Sequence, residues 1–158
     1  MKLFRILTLA AWTTCALLAA PLAHAHDDAY LDTQTAPHGG QLRMAGPSHY
    51  ELVLVKDSKA AQANPVVVYV TDHAGTKVPT AGASGSVTLL SGKTKASTPL
   101  KPDGDNKLVG EAVYASSPDL KAVVRIKLAG QDEQQARFTP FAPRASAAAE
   151  HHDHGHEH

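Results

Sequence analysis

Short runs of apolar and β-branched residues alternate with turn residues from Gly40 to Thr139. Apolar residues at every second position are typical of a strand with one buried face, and Val124, Ile126 and Leu128 show this alternation most clearly. The pattern predicts strands over Gly40–Ala45, Tyr50–Lys56, Pro65–Asp72, Ser86–Ser91, Thr94–Leu100, Lys107–Tyr114, Lys121–Ala129 and Gln134–Thr139.

The residues between these runs support the same interpretation. Gly92-Lys93 predicts a tight hairpin, and residues 102–106 (PDGDN) are rich in strand breakers. The apolar run VVVYV within Pro65–Asp72 predicts a strand buried on both faces, and only residues 145–149 have a composition that favours a helix. The sequence therefore predicts an all-β fold, an antiparallel β-sandwich that is immunoglobulin-like, with about 7–8 strands.

The start of the chain predicts an export signal. The apolar run Ile6–Ala19 follows a basic start and is too short to span a bilayer, and Ala23-His24-Ala25 fits a signal-peptide cleavage site. We therefore expect a signal peptide over residues 1–25 and a periplasmic mature protein that begins at His26. No stable membrane anchor is expected after cleavage.

The remaining residues suit one domain with one core. We expect a flexible segment over residues 26–37, the β-sandwich over 38–140, a linker over 141–150 and a His-rich tail over 151–158. The predicted core consists of apolar residues that share one face of the strands. These are Leu52, Leu54, Val66, Val68, Val70, Val87, Leu89, Val124, Ile126, Leu128 and Phe138.

Charge and sulfur content narrow the possible functions. The chain has 15 basic and 15 acidic residues and no basic run, so nucleic acid is not an expected partner. Cys15 lies in the expected signal peptide, which leaves no thiol for disulfides or metal binding. Met44 is then the remaining methionine. Without soft sulfur ligands, the expected ions are the borderline divalent metals zinc, copper(II), nickel and cobalt.

The last eight residues hold five of the chain's ten histidines. Neutral imidazole is the commonest protein ligand for zinc, copper and nickel, so this composition predicts metal binding. A cloning tag or a low-complexity tail without a role is the alternative. The predicted ligands in the tail are His151, His152, Asp153, His154, His156, Glu157 and His158.

If successive strands run antiparallel, the other candidate ligands fall at two opposite ends of the sandwich. The candidates at the end where the first strand begins are His26, Asp27, Asp28 and His38. The candidates at the other end are Met44, His49, Glu51 and His73. The tail would leave at the end that carries His38. His38 and His49 would then lie roughly 20 Å apart, too far to share one ion.

Ordinary structural roles are the alternatives for these residues. His49 and Glu51 suit a solvated strand face, and His73 suits a turn. His38 lies beside Gly39-Gly40, and glycines at this position would also serve a tight turn into the first strand.

Pro37-His38-Gly39-Gly40-Gln41-Leu42, followed by Tyr50-Glu51-Leu52, Val78-Pro79 and residues 102–110, resembles the small β domain of certain periplasmic adaptors. Those adaptors belong to resistance-nodulation-division pumps that export zinc, cobalt, cadmium or copper. The resemblance covers residues 37–139. It implies an immunoglobulin-like sandwich, a role in periplasmic metal handling, and His38 as a possible ligand. The helical hairpin, lipoyl-like domain and β-barrel of the adaptors have no counterpart in this sequence, so a freestanding accessory domain is implied.

Two functions are consistent with these features. One is a non-enzymatic periplasmic protein that buffers or delivers divalent transition metal, as an accessory to a heavy-metal efflux or resistance system. The other is a non-catalytic interaction module that docks on an efflux-pump subunit or another envelope protein, with the His tail incidental. An enzyme is not expected, because the sequence has no nucleophile elbow, zinc-protease helix motif or phosphate loop.

Overall fold

The computed structural model describes residues 28–143, which form one short helix and eight strands. Most of the strands begin and end within two residues of the predicted limits, since alternation and turn residues mark both. The elements are α1 (Asp28–Thr33), β1 (Gln41–Ala45), β2 (Ser48–Leu54), β3 (Gln62–Asp72), β4 (Ser84–Ser91), β5 (Thr94–Pro102), β6 (Lys107–Tyr114), β7 (Lys121–Lys127) and β8 (Gln134–Phe138).

The strands follow the spatial order β1-β2-β3-β6-β5-β4-β7-β8, and every neighbouring pair is antiparallel. β5 connects the two halves, because it pairs with β4 over most of its length and with β6 through Lys101 and Pro102. The sets β2-β3-β6 and β4-β7-β8 match the A-B-E and C-F-G orders of an immunoglobulin-like sandwich. The predicted all-β antiparallel fold is confirmed.

The core lies between these two sets of strands, and every predicted core residue is buried in it. The prediction for β3 needs a correction: Val66, Val68 and Val70 are buried, whereas Val67 and Tyr69 are partly exposed on the other face. The run VVVYV therefore alternates in burial although it is uniformly apolar. The core residues that the sequence analysis missed include Tyr50, Leu100, Leu108, Ala112, Tyr114, Leu120 and Ala122.

The segment before β1 is more ordered than expected. Asp28–Thr33 forms α1, and the helix buries Leu31. Asp32 accepts hydrogen bonds from both terminal nitrogens of Arg43 on β1, at 2.7 and 3.1 Å. The sequence analysis expected a flexible segment over 26–37 and did not identify this helix, because six residues are too few to show a helical period. No helix within residues 28–143 has the length and apolarity to cross a membrane.

The chain leaves β8 at the end of the sandwich where β1 begins. The Thr139 amide donates to the Gln41 side chain at 2.8 Å. Pro140 and Phe141 line a small cavity together with Gly39 and Gly40. The expectation that the C-terminal segment starts near His38 is therefore confirmed as far as residue 141, and the predicted tail itself lies outside the described residues.

Tyr50 of β2 is fully buried in the core, and its hydroxyl has no hydrogen-bond partner among residues 28–143. Burial, with a smaller contribution from the negative charge of Glu133, raises the pKa of Tyr50 to about 12 from its ordinary value of 10.0. A buried phenol without a partner costs free energy that a phenylalanine ring would not.

We predict that Tyr50→Phe leaves stability at neutral pH unchanged or slightly higher and removes part of the alkaline destabilisation. The folded protein holds the Tyr50 proton up to pH about 12, whereas the unfolded chain releases it from pH 10.0. The free energy of unfolding is therefore unaffected by the ionisation of Tyr50 below pH 10. Between pH 10 and pH 12 the ionisation of Tyr50 in the unfolded chain lowers it by about 2–3 kcal/mol. Urea unfolding between pH 8 and pH 11 checks this, and parallel pH curves for the two proteins would contradict it.

Candidate functional site

A groove of about 310 Å³ lies on the outer face of β2 and β3, opposite the core. The residues 30–38, which include most of α1, form one of its walls. His38, His49 and His73 are the three histidines between residues 28 and 143, and all of them line this groove. The groove also contains Glu51, so residues that the strand count assigned to opposite ends share one surface.

Glu51 holds the segment before β1 against the sheet. One carboxylate oxygen accepts hydrogen bonds from the amides of His38 (2.8 Å) and Gly40 (2.9 Å). The other oxygen lies 2.8 Å from Nδ1 of the His38 ring. Glu51 is only 3% exposed, and a buried carboxylate needs such donors to offset its lost hydration.

The contact with Glu51 also determines how His38 presents its ring. An ionised carboxylate can only accept, so a neutral His38 ring that bonds to it carries its proton on Nδ1 and its lone pair on Nε2. Metal-binding histidines are commonly oriented in this way by a carboxylate behind the ring. The ring also stacks on Tyr69 of β3, with centroids 3.5 Å apart and planes 3° from parallel.

The two glycines after His38 are required by this arrangement. Gly39 has a φ of 73°, which a residue with a side chain rarely adopts. A Cβ atom at Gly40 would overlap the carbonyl oxygen of Leu52 on the neighbouring strand β2. The His-Gly-Gly sequence thus permits the tight turn that brings the His38 ring over the sheet.

His49 and His73 form a second imidazole pair farther along the groove. Their rings stack with centroids 5.0 Å apart and planes 25° from parallel. His49 lies on β2, two residues before Glu51, and its partner on β1 is Met44. His73 follows β3, and its Nε2 lies 3.3 Å from the Gly46 carbonyl oxygen.

The turn that carries His73 is fixed by Asp72. The Asp72 carboxylate accepts hydrogen bonds from the amides of Ala74 (2.9 Å) and Thr76 (2.8 Å). The bond from the Thr76 amide is the largest cause of the lowered pKa of Asp72. The lowered pKa keeps the Asp72 carboxylate ionised near neutral pH, where it can accept from both amides of the turn.

The structure corrects two expectations, one about the distance between His38 and His49 and one about the partner of Glu51. His38 and His49 are not separated by a strand length, because His38 contacts Glu51, and Glu51 is only two residues from His49. Two residues of strand span about 7 Å. Glu51 belongs with His38 instead of forming a pair with His49, because the turn at Gly39-Gly40 brings His38 over the middle of β2.

Asp28 is not placed with His38. Its carboxylate lies 3.6 Å from Nε of Arg43 and lines a different cleft. His26, Asp27 and the tail ligands, from His151 to His158, lie outside the described residues.

Within residues 28–143, no three His, Cys, Asp or Glu side chains come together closely enough to hold one ion. The described candidate ligands of the groove therefore form two separate pairs, His38 with Glu51 and His49 with His73.

Tyr69 lines the groove, and Asp72 holds the turn that carries His73. The sequence did not identify either residue. Tyr69 was not recognised because the run VVVYV was interpreted as a strand buried on both faces. The signal that would have identified it is the register with β2, which pairs Tyr69 with Glu51 and Thr71 with His49. Polar partners on β2 indicate that this face of β3 is not core.

The chain matches no protein-family model and no curated protein.

We predict that Glu51→Ala lowers the free energy of unfolding by about 2–4 kcal/mol, because it leaves three donors without their acceptor. The control is Glu111→Ala, which removes an exposed carboxylate from β6 and should change stability by less than about 0.5 kcal/mol. Urea unfolding gives both values. NMR of the His38 ring should also show the Nδ1–H form in the parent protein and a mixture of tautomers in Glu51→Ala. Equal stability of the two variants would contradict the proposed anchoring role.

Proposed function

We propose that the protein is a non-enzymatic periplasmic binder of divalent transition metal, which buffers or delivers zinc, copper(II), nickel or cobalt as an accessory to a heavy-metal efflux or resistance system. The observation that carries the proposal is the convergence of His38, His49 and His73 on one groove. These residues come from three separate parts of the chain. Imidazoles gathered in this way offer the ligand type that borderline metals prefer.

The groove would bind metal through two partial sites. Nε2 of His38 carries a lone pair because Glu51 occupies Nδ1. The rings of His49 and His73 stack with their centroids 5.0 Å apart. A zinc ion usually takes four ligands, so a site with one or two imidazoles leaves positions for water or for further ligands. Incomplete sites of this kind favour exchange of the ion over permanent retention.

The His-rich tail can supply those further ligands. Phe141 lies beside Gly39-Gly40 at the end of the sandwich that carries the His38 turn. His151 is ten positions beyond Phe141, and ten residue steps span at most about 35 Å. The tail imidazoles are therefore within reach of the groove, which supports capture by the tail followed by transfer to His38 or to the His49–His73 pair.

Binding is a better supported role than catalysis. A catalytic metal site needs about three preorganised protein ligands and an open position for substrate. The described part of the groove offers ligands only in pairs. The periplasmic setting and the link to efflux rest on the signal-like start of the chain and on the resemblance of residues 37–139 to the adaptor domain.

Isothermal titration with zinc, copper(II) and nickel tests the proposal with four proteins. These are residues 26–158, the truncation 26–149, the variant His38→Ala/His49→Ala/His73→Ala, and the control Lys59→Ala/Lys93→Ala/Gln131→Ala, whose three substituted residues are exposed outside the groove. We expect fewer bound ions in the truncation, weaker binding in the His variant, and parental behaviour in the control. Binding should also weaken below pH about 6.5, where imidazole becomes protonated.

Equal stoichiometry and affinity in all four proteins would refute metal binding by both groups of ligands. Loss of binding in the truncation alone would restrict the function to the tail and exclude the groove. Binding of an envelope protein that needs neither metal nor the tail would favour an interaction module instead.

A further inference from the structure

The strands β4, β5, β7 and β8 carry charge of one sign. Their cationic residues are Lys95, Lys101, Lys121, Arg125, Lys127 and Arg137, and none of their positions is acidic. Lys95, Lys121 and Arg137 are exposed and take no part in the ion pairs formed within residues 28–143. This face is independent of the histidine groove, which belongs to β2 and β3.

A cleft of about 580 Å³ opens on this face. Leu90 and Val123 belong to its lining, and Leu90 is 42% exposed. An exposed leucine on a strand next to a half-buried valine provides an apolar floor. The volume is within the range of sites that take small organic ligands, about 300–1,000 Å³.

The strand register places the cations around this apolar floor. Leu90 pairs with Lys95 on one side and with Lys121 on the other. Val123 pairs with Arg137 on β8. Since neighbouring strands lie about 4.8 Å apart, the backbones at Lys95 and Lys121 flank Leu90 at a separation of about 10 Å. An anionic group above Leu90 could accept hydrogen bonds from both ammonium groups.

The far wall of the cleft carries one guanidinium and two carboxylates. Asp28 of α1 and Arg43 of β1 both line the cleft and contact each other at 3.6 Å. Arg43 also binds Asp32 at 2.7 Å. This wall therefore has a net charge of −1. The opposite rim carries three cations, Lys95, Lys121 and Arg137, so the lining of the cleft remains positive in net charge.

We propose that this cleft binds a free amphipathic anion with a single aliphatic chain, of the fatty-acid class. The chain lies on Leu90 and Val123, and the carboxylate pairs with Lys95 and Lys121. Charge complementarity selects an anion, the apolar floor selects an aliphatic chain, and the concave shape selects a free molecule over a lipid surface. This activity does not depend on metal binding.

Dodecanoate, below its micelle concentration, is the probe for a titration of the protein with residues 26–158. We expect saturable binding of one molecule per protein. Butyrate has the same carboxylate but only a short chain, and dodecyl maltoside has the long chain but no charge. Both should bind far more weakly than dodecanoate. Lys95→Glu/Lys121→Glu should weaken binding by at least about tenfold, since each substitution removes a charge-assisted hydrogen bond. Leu90→Asp should have a similar effect.

The matched control is Lys59→Glu/Lys101→Glu, which makes the same change of charge at exposed positions outside the cleft and should bind dodecanoate like the parent. Two further probes are anionic phospholipid vesicles and poly-glutamate. Binding of either probe without binding of dodecanoate would overturn the proposal, as would non-saturable dodecanoate binding. If the cleft variant and the control lost the same affinity for dodecanoate, the loss would come from the change in net charge. That result would also refute the site.

Discussion

The buried carboxylate of Glu51 connects the fold to the candidate site. It accepts from two backbone amides and lies against the His38 ring, and it does so from a position on β2 that is almost closed to solvent. A buried carboxylate in that position needs these donors to offset its lost hydration. The same bonds determine the path of the chain before β1, the tautomer of His38 and the location of the groove wall.

Glu51 also explains why the sequence could predict the sandwich but not the groove. Alternation and turn residues are local signals, and they located all eight strands and the aliphatic core. The groove depends on a turn that folds back over the sheet and on the register between β2 and β3. Neither is local: Glu51 is 13 residues from His38, and its partner on β3 is Tyr69. Counting strand directions assigned His38 to one end of the sandwich and missed that it reaches the middle of β2.

The two outer faces of the sandwich differ in their chemistry. The face of β2 and β3 carries imidazoles, a buried carboxylate and an aromatic ring. The face of β4, β5, β7 and β8 carries lysine and arginine around exposed Leu90. Strand alternation allows this division, because each strand contributes one side to the shared core and leaves the other side free to vary. One small domain can therefore hold two independent binding surfaces.

We propose that the groove and the tail bind metal together. NMR of the 26–158 protein with isotope-labelled histidine, titrated with zinc, tests it most directly because each imidazole reports separately. We expect the Nε2 resonance of His38 to shift while Nδ1 stays protonated against Glu51, and the resonances of His49 and His73 to shift in the same titration as those of the tail histidines. Shifts confined to the tail, with the three groove imidazoles unchanged at saturating zinc, would contradict it.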